Sequence, residues 1–464
     1  MAGRPARASV DRAYVGMSGH RLVLGLCLFA TTVVAGELVP LPACGPVQRP
    51  YDAVELPAAT LRGFGRTPLV QFGVLALRSG RLVPVPFQID ERVGRKLVMR
   101  DGPEPFPDDK PGVYDWDDLV VFMACDAGER ASADVIASAF DPHMGLLRWS
   151  EVEIQDPLDH RSGYVYVIAA EHPPHTDRRY VEYDAAHDLV RSAAYEIGCS
   201  NTLPTHLALA LGQPMTGNLL DGVRLRADAK LWPNLLQWSI SERDGRHKML
   251  AWLAGPVRVV RRTEHHVNIG LGINLSAGTA QTYFTARGVY GPGALKLPFS
   301  PSVFFSDITA FAGADMRDMK GWRYHAGGTP AAGFTVDGTT DSAEQHFAGS
   351  GDWFVLEQGA RALLVQAVLS ENLATIVPLV PVYIDDAVRK APPEAVPGSL
   401  PLAGFRGAGL QKLEAGRYTF QLRVAGIYPY HAGDEAAVLK QSAEPLTAEV
   451  TARWPLGDAP AMAR

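Results

Sequence analysis

Leu69-Val70-Gln71-Phe72-Gly73-Val74-Leu75-Ala76-Leu77, then Arg78-Ser79-Gly80, then Leu82-Val83-Pro84-Val85-Pro86-Phe87-Gln88-Ile89-Asp90 is the stretch from which the fold is read. Two apolar runs joined by a short Ser-Gly turn predict a β-hairpin. Pro84 and Pro86 have no amide hydrogen to donate, so the second run is predicted at a sheet edge or entering a sheet late. An acidic, Pro/Gly-rich loop over 100–118 follows, then the apolar strand LVVFMA (119–124). LRWSEVEI (147–154) and GYVYVIAA (163–170) form another pair, joined by the turn formers QDPLDHRS.

Strand character continues at 222–231, 254–263, 266–276, 281–290, 353–359, 362–368, 380–385, 414–426 and 446–454. Val257–Arg261 and 279–282 alternate polar and apolar residues, which suits one face on a core and one in water. Helix signals are few: Leu203–Leu211, and Ser306–Met319 with Ser306 or Asp307 as cap. The 45 Gly and 35 Pro favour short strands and turns. The expected fold is all-β, a large antiparallel β-sandwich or supersandwich with few short helices. Residues 37–60 read as an extended Pro-rich segment, 61–190 as an N-terminal sandwich and 191–464 as a larger sandwich domain.

Residues 1–36 read as a secretory leader. His20 and Arg21 precede the apolar run Leu22–Ala35, and Val33 and Ala35 occupy the −3 and −1 positions of a cut before Gly36. The run is shorter than the roughly twenty residues a membrane-spanning helix needs. Met17 opens a more compact version, so either Met1 or Met17 is the start. The expected location is periplasmic or secreted. Leu41-Pro42-Ala43-Cys44-Gly45 resembles a lipoprotein box, so membrane attachment is expected only if Cys44 is lipidated. Of 4 cysteines, Cys27 leaves with the leader. Cys125–Cys199 is the candidate disulfide if Cys44 is lipidated or free; three unpaired core cysteines are the alternative. The net charge of −6 and the lack of a long basic stretch argue against nucleic acid as a partner.

Pro86-Phe87-Gln88-Ile89-Asp90, followed by Asp117-Asp118-Leu119-Val120-Val121-Phe122, resembles a pattern of secreted β-sandwich proteins of the exo-rhamnogalacturonan-lyase-like type. In that group a Pro-x-Gln-x-Asp strand precedes an Asp-Glu-Leu-Val-Phe strand, and Gly255-Pro256-Val257-Arg258 resembles a later strand of it. The resemblance implies a large antiparallel sandwich and action on, or binding of, polysaccharide. The group's Asp-Gly-rich turn is replaced here by a longer segment, and none of its catalytic residues has a match in this chain.

Four constellations are candidates for chemistry. Asp101, Asp108, Asp109 and Asp115, with Glu104, Asp117 and Asp118, crowd hard oxygen ligands into one loop, as calcium requires, though without EF-hand spacing; a solvated acidic loop is the alternative. No other cofactor is expected. Arg262, His266 and Tyr283 would serve a sugar-acid eliminase, the cation stabilising enolate charge while His or Tyr moves the proton. Adjacent residues on a strand point to opposite faces, so only one of His265 and His266 can face a given cleft. Trp322, Arg323, Tyr324 and His325 form an aromatic cluster suited to stacking on sugars; core anchoring is the alternative. His172-Pro173-Pro174-His175 reads as a surface loop.

No HExxH, P-loop, GxSxG or GxGxxG motif is present. The expected function is therefore a binding or accessory envelope protein with a glycan or protein partner. The alternatives are a lyase-like or epimerase-like enzyme on acidic sugars, and an accessory subunit of an exported redox complex.

Overall fold

Alternating apolar residues pair into antiparallel sheets across the chain, beginning with the hairpin Phe72–Arg78 and Arg81–Pro84. The structure, a computed structural model, describes residues 36–454 apart from 141, 232–235, 269–273 and 394–395. The leader read at Leu22–Ala35 lies outside the described residues.

The first sandwich faces a three-stranded sheet against a five-stranded one. The smaller sheet orders Ala53–Pro57, Leu119–Met123 and Phe87–Asp90. The larger orders Thr447–Trp454, Leu146–Gln155, Ser162–Ala170, Phe72–Arg78 and Arg81–Pro84. Both proline-bearing strands sit at sheet edges, where a missing N–H costs nothing. Leu56, Phe72, Val74, Phe122, Val152 and Val167 fill the space between the sheets, all with 0% exposure. Each contributes about 1.5–3 kcal/mol by leaving water.

The second sandwich packs a nine-stranded sheet against a five-stranded and a four-stranded one. Its core joins Leu209, Leu220, Val259, Trp322, Tyr324, Phe354, Tyr383 and Phe405. The all-β expectation holds, with four short α-helices among the described residues.

Two segments read as helices are strands. Leu203–Leu209 alternates Leu207 and Leu209 into the core. Phe305–Met316 pairs on both sides, with Leu220–Leu231 and Leu402–Ala408. Ala310, Ala312 and Ala314 lie two apart on one face there, so pairing on both edges overrides a local capping signal. The divisions also differ from the reading. Ala53–Pro57, inside the segment read as extended, is a strand of the first sandwich, and Thr447–Trp454 returns from the far end of the chain to pair with Leu146–Gln155.

The sequence motifs of the resemblance meet in space as a clamp between the sandwiches. Gln88 Oε1 accepts from the Val257 and Arg258 amides at 3.1 and 2.9 Å. A Cβ on Gly255 would lie 2.0 Å from that oxygen, so only glycine fits. Arg258, 2% exposed, donates from Nε to Asp90 Oδ2 at 2.9 Å and from Nη1 to Tyr290 Oη at 3.1 Å, and also pairs with Glu55.

Candidate functional site

Three neighbouring strands, Gly245–Ala254, Val259–Asn268 and Asn274–Phe284, form one end of the nine-stranded sheet. The register sets His247 opposite His265, Met249 opposite Thr263 and Trp252 opposite Arg261. A bulge at Leu250 adds one residue, which keeps Trp252 on the same face as Met249 and His247. By strand alternation Arg261, Thr263 and His265 share that face. The four-stranded sheet brings Tyr183 and Asp188 against it: Tyr183 meets Trp252 edge-on, with centroids 5.6 Å apart, and Asp188 pairs with Arg261.

A cavity of about 440 Å³ opens here, walled by Tyr183, Trp252 and Met249 with Asp188, Gly102 and Pro103. Tyr183 Oη donates to Asp188 Oδ1 at 2.8 Å, while Arg261 holds Oδ2. Burial, then Asp188, pushes the Tyr183 phenol above its ordinary range, so it remains a hydroxyl donor. The rim is set by the Trp252 amide, which donates to the Asp101 carbonyl at 3.0 Å. At φ +115° and with a Cβ only 2.6 Å from Ala251 Cα, position 102 requires glycine.

The same strand Gly245–Ala254 walls a second cavity of about 520 Å³, bordered by Asn201, Thr205, Arg224, Glu242, Arg246 and His247. Arg224 is anchored by Asp315 at 2.9 Å. At this end His247 Nδ1 and His265 Nδ1 lie 2.7 Å apart, and His265 Nε2 meets Thr263 Oγ1 at 2.8 Å. One Nδ1 must carry a hydrogen and the other a lone pair, so the two rings cannot both be charged.

Burial, reinforced by His247 and Arg261, pulls the His265 ring down to about 4. The unfolded chain, near 6.5, then binds the proton more readily between about pH 6.5 and 4, and stability contributed by this pair falls as pH drops through that window. His265 is expected to titrate near pH 4 by ring NMR, and His265→Gln to flatten the acid side of the stability curve. Titration near 6.5 would contradict the burial of the His265 ring.

The residues singled out in the sequence fall elsewhere. Arg262 and His266 lie on the opposite face from this site, four positions and about 13 Å apart along one strand. His266 pairs with Glu264 at 3.2 Å, and Tyr283 stacks flat on Tyr290 at 4.6 Å beneath the Arg258 guanidinium. The three do not converge. Trp322 and Tyr324 are 2% and 0% exposed and belong to the core, so no sugar can stack on them. Arg323 and His325 point the other way, to Glu357 at 3.7 and 3.4 Å.

Asp101 is tied to Trp252 only through its backbone carbonyl, its side chain and that of Asp109 are exposed, and Asp108 lies beside the like-charged Glu91 carboxylate. Asp115 clusters with Asp117 and Asp118 instead. The candidate disulfide is corrected too. Cys44 bonds Cys125, and Cys199 is a free thiol pushed up to about 11 by burial. A bonded Cys44 has no sulfur to offer a lipid.

Sequence reading missed Trp252, Met249 and His247 because Arg246-His247-Lys248-Met249-Leu250-Ala251-Trp252 hides its alternation behind the bulge. The parity shift between Met249 and Trp252 was the available signal.

No family model matches the chain, and no curated protein matches it. Among solved structures, an alpha-mannosidase from Enterococcus faecalis V583 is similar over 86% of this chain and 44% of its own, at 11% identity and a TM-score of 0.43. A glycosyl hydrolase family 38 protein from Enterococcus faecalis matches over 87% and 46%, at 10% identity and a TM-score of 0.40. A beta-arabinopyranosidase matches over 53% and 40%, at 9% identity and a TM-score of 0.25. The chain spans less than half the length of the two Enterococcus faecalis proteins. These overlaps assign no activity and no residue.

Proposed function

We propose that the chain is an extracytoplasmic glycan-binding protein whose ligand lies against Trp252 and Tyr183. The observation that carries this reading is a half-buried Trp–Tyr corner opening on a cavity with a carboxylate, Asp188, beside it. A pyranose presents apolar C–H faces that pack on aromatic rings and hydroxyls that hydrogen-bond to a charged acceptor. Arg261 neutralises Asp188 and fixes its direction without filling the cavity. Binding is preferred to turnover because Arg262, His266 and Tyr283 do not converge. The Cys44–Cys125 bond supports an oxidising compartment outside the cytoplasm.

A panel of soluble plant and bacterial polysaccharides, read by affinity electrophoresis and calorimetry, tests the proposal. Trp252→Ala is expected to weaken the retained polysaccharide by about 10- to 100-fold, the scale of truncating a buried aromatic anchor. Trp116→Ala, an exposed ring elsewhere, is expected to change nothing. No retention by any member of the panel, or equal retention by the Trp252 variant, would remove this reading.

A further inference from the structure

The acidic loop, whose start borders the cavity at Gly102 and Pro103, gathers three carboxylates at its far end. Asp115, Asp117 and Asp118 are all buried, and each places a carboxylate oxygen within 4.8 Å of the others. They sit where the loop before Leu119–Met123 folds back on the turn after Phe87–Asp90. The Gly94 amide donates to Asp117 Oδ2, and the Arg92 and Asp115 amides donate to the two oxygens of Asp118 at 2.9 and 2.8 Å. These main-chain donors fix the carboxylates but bring no positive charge. Among the described residues, the one side-chain cation bonded to the three is Lys110, half exposed, at 2.8 Å from Asp115.

Two buried polar atoms at this place have no hydrogen-bond partner among the described residues. Asp117 is 9% exposed, and its Oδ1 meets no donor. Tyr114 is 0% exposed, its hydroxyl has no partner, and its ring oxygen feels the charges of Asp118 and Asp115. Stranding such groups away from water costs about 1–3 kcal/mol each, and two of them side by side among carboxylates favour a partner there. Three buried carboxylates within 4.8 Å of one another, an orphaned carboxylate oxygen and an orphaned hydroxyl call for a cation.

We propose that Asp115, Asp117 and Asp118 bind a calcium ion, with Tyr114 Oη turned toward the same centre. All the donors are hard oxygens, with no His or Cys among them, which disfavours zinc and copper. The ligands come from irregular loops, which suit the larger and more variable shell of calcium over the strict octahedron of magnesium. Extracytoplasmic calcium would fill even a weak site of this type.

Trp116 lies between two of the ligands in sequence and is 40% exposed, so it is a built-in antenna for terbium. The full chain, stripped with chelator, is expected to show terbium emission excited through tryptophan and quenched by added calcium. Calcium is also expected to raise the melting temperature by more than equal magnesium does. Asp117→Asn removes charge while keeping shape, and is expected to fold, with affinity weakened by about tenfold or more. Trp116→Phe is expected to lose the emission and keep the thermal shift, which protects the test should Asp117→Asn fail to fold. A wild-type chain without emission and without a calcium shift would overturn the proposal. So would an unchanged response in Asp117→Asn, or a magnesium shift as large as the calcium shift.

Discussion

Arg258→Ala is expected to destabilise the protein by about 3–5 kcal/mol, the cost of removing one partner from a buried ion pair. Asp90 is 0% exposed and would be left with Gln88 as its side-chain donor among the described residues. Glu55 and Tyr290 would lose the same guanidinium. The effect is large because Arg258 sits where the two sandwiches join, so the lost bonds are long-range ones: Arg258 and Asp90 are 168 positions apart. A shift of the urea midpoint to lower concentration, with the slope unchanged, is the measurement. Replacing Asp90 and Arg258 together by apolar residues is expected to recover much of the loss, since no charge is then stranded. An Arg258→Ala midpoint equal to the wild type would show that the clamp contributes nothing to cohesion.

The clamp also shows what could and could not be read from residue order. Strands with clean alternation or continuous apolar runs, such as Phe72–Arg78, Leu119–Met123 and Ser162–Ala170, were legible because their faces follow from period two alone. Gln88, Asp90 and Arg258 were visible as motif residues, but their meeting depends on packing between sandwiches. The return of Thr447–Trp454 to the first sandwich left no local trace.

The candidate site failed for a finer reason. His265 and His266 differ by one position, and a strand sends them to opposite faces. Which face carries the cavity is set by the bulge at Leu250 and by the sheet bearing Tyr183, and neither is encoded near the histidines. Ser306 and Asp307 carried a helix signal because capping is local, whereas the segment they open pairs as a strand on both sides.

Removing the Cys44–Cys125 bond is expected to produce the other large loss. The two residues are 81 apart, and closing a loop of that size restricts the unfolded chain by about 4–5 kcal/mol on the loop-entropy account. The native side adds to this. Cys125 is 0% exposed, and the carbonyls of Cys125 and Asp126 accept from Arg78 Nη2 at 3.0 and 2.8 Å, so the backbone here is held before the bond closes. Cys44→Ser with Cys125→Ser is therefore expected to lower the urea midpoint strongly, as is reduction of the wild type. Cys199→Ser is expected to stay within about 1 kcal/mol, because Cys199 closes no loop. Non-reducing peptide mapping reads the pairing directly. A Cys44–Cys125 peptide that separates on reduction, with Cys199 alkylated only after denaturation, fits the geometry. A Cys125–Cys199 peptide, or a Cys44 carrying lipid, would show that the segment 36–60 is not fastened to the first sandwich by sulfur. The clamp at Arg258 would then be left to hold the sandwiches together without that constraint on the chain leading into them.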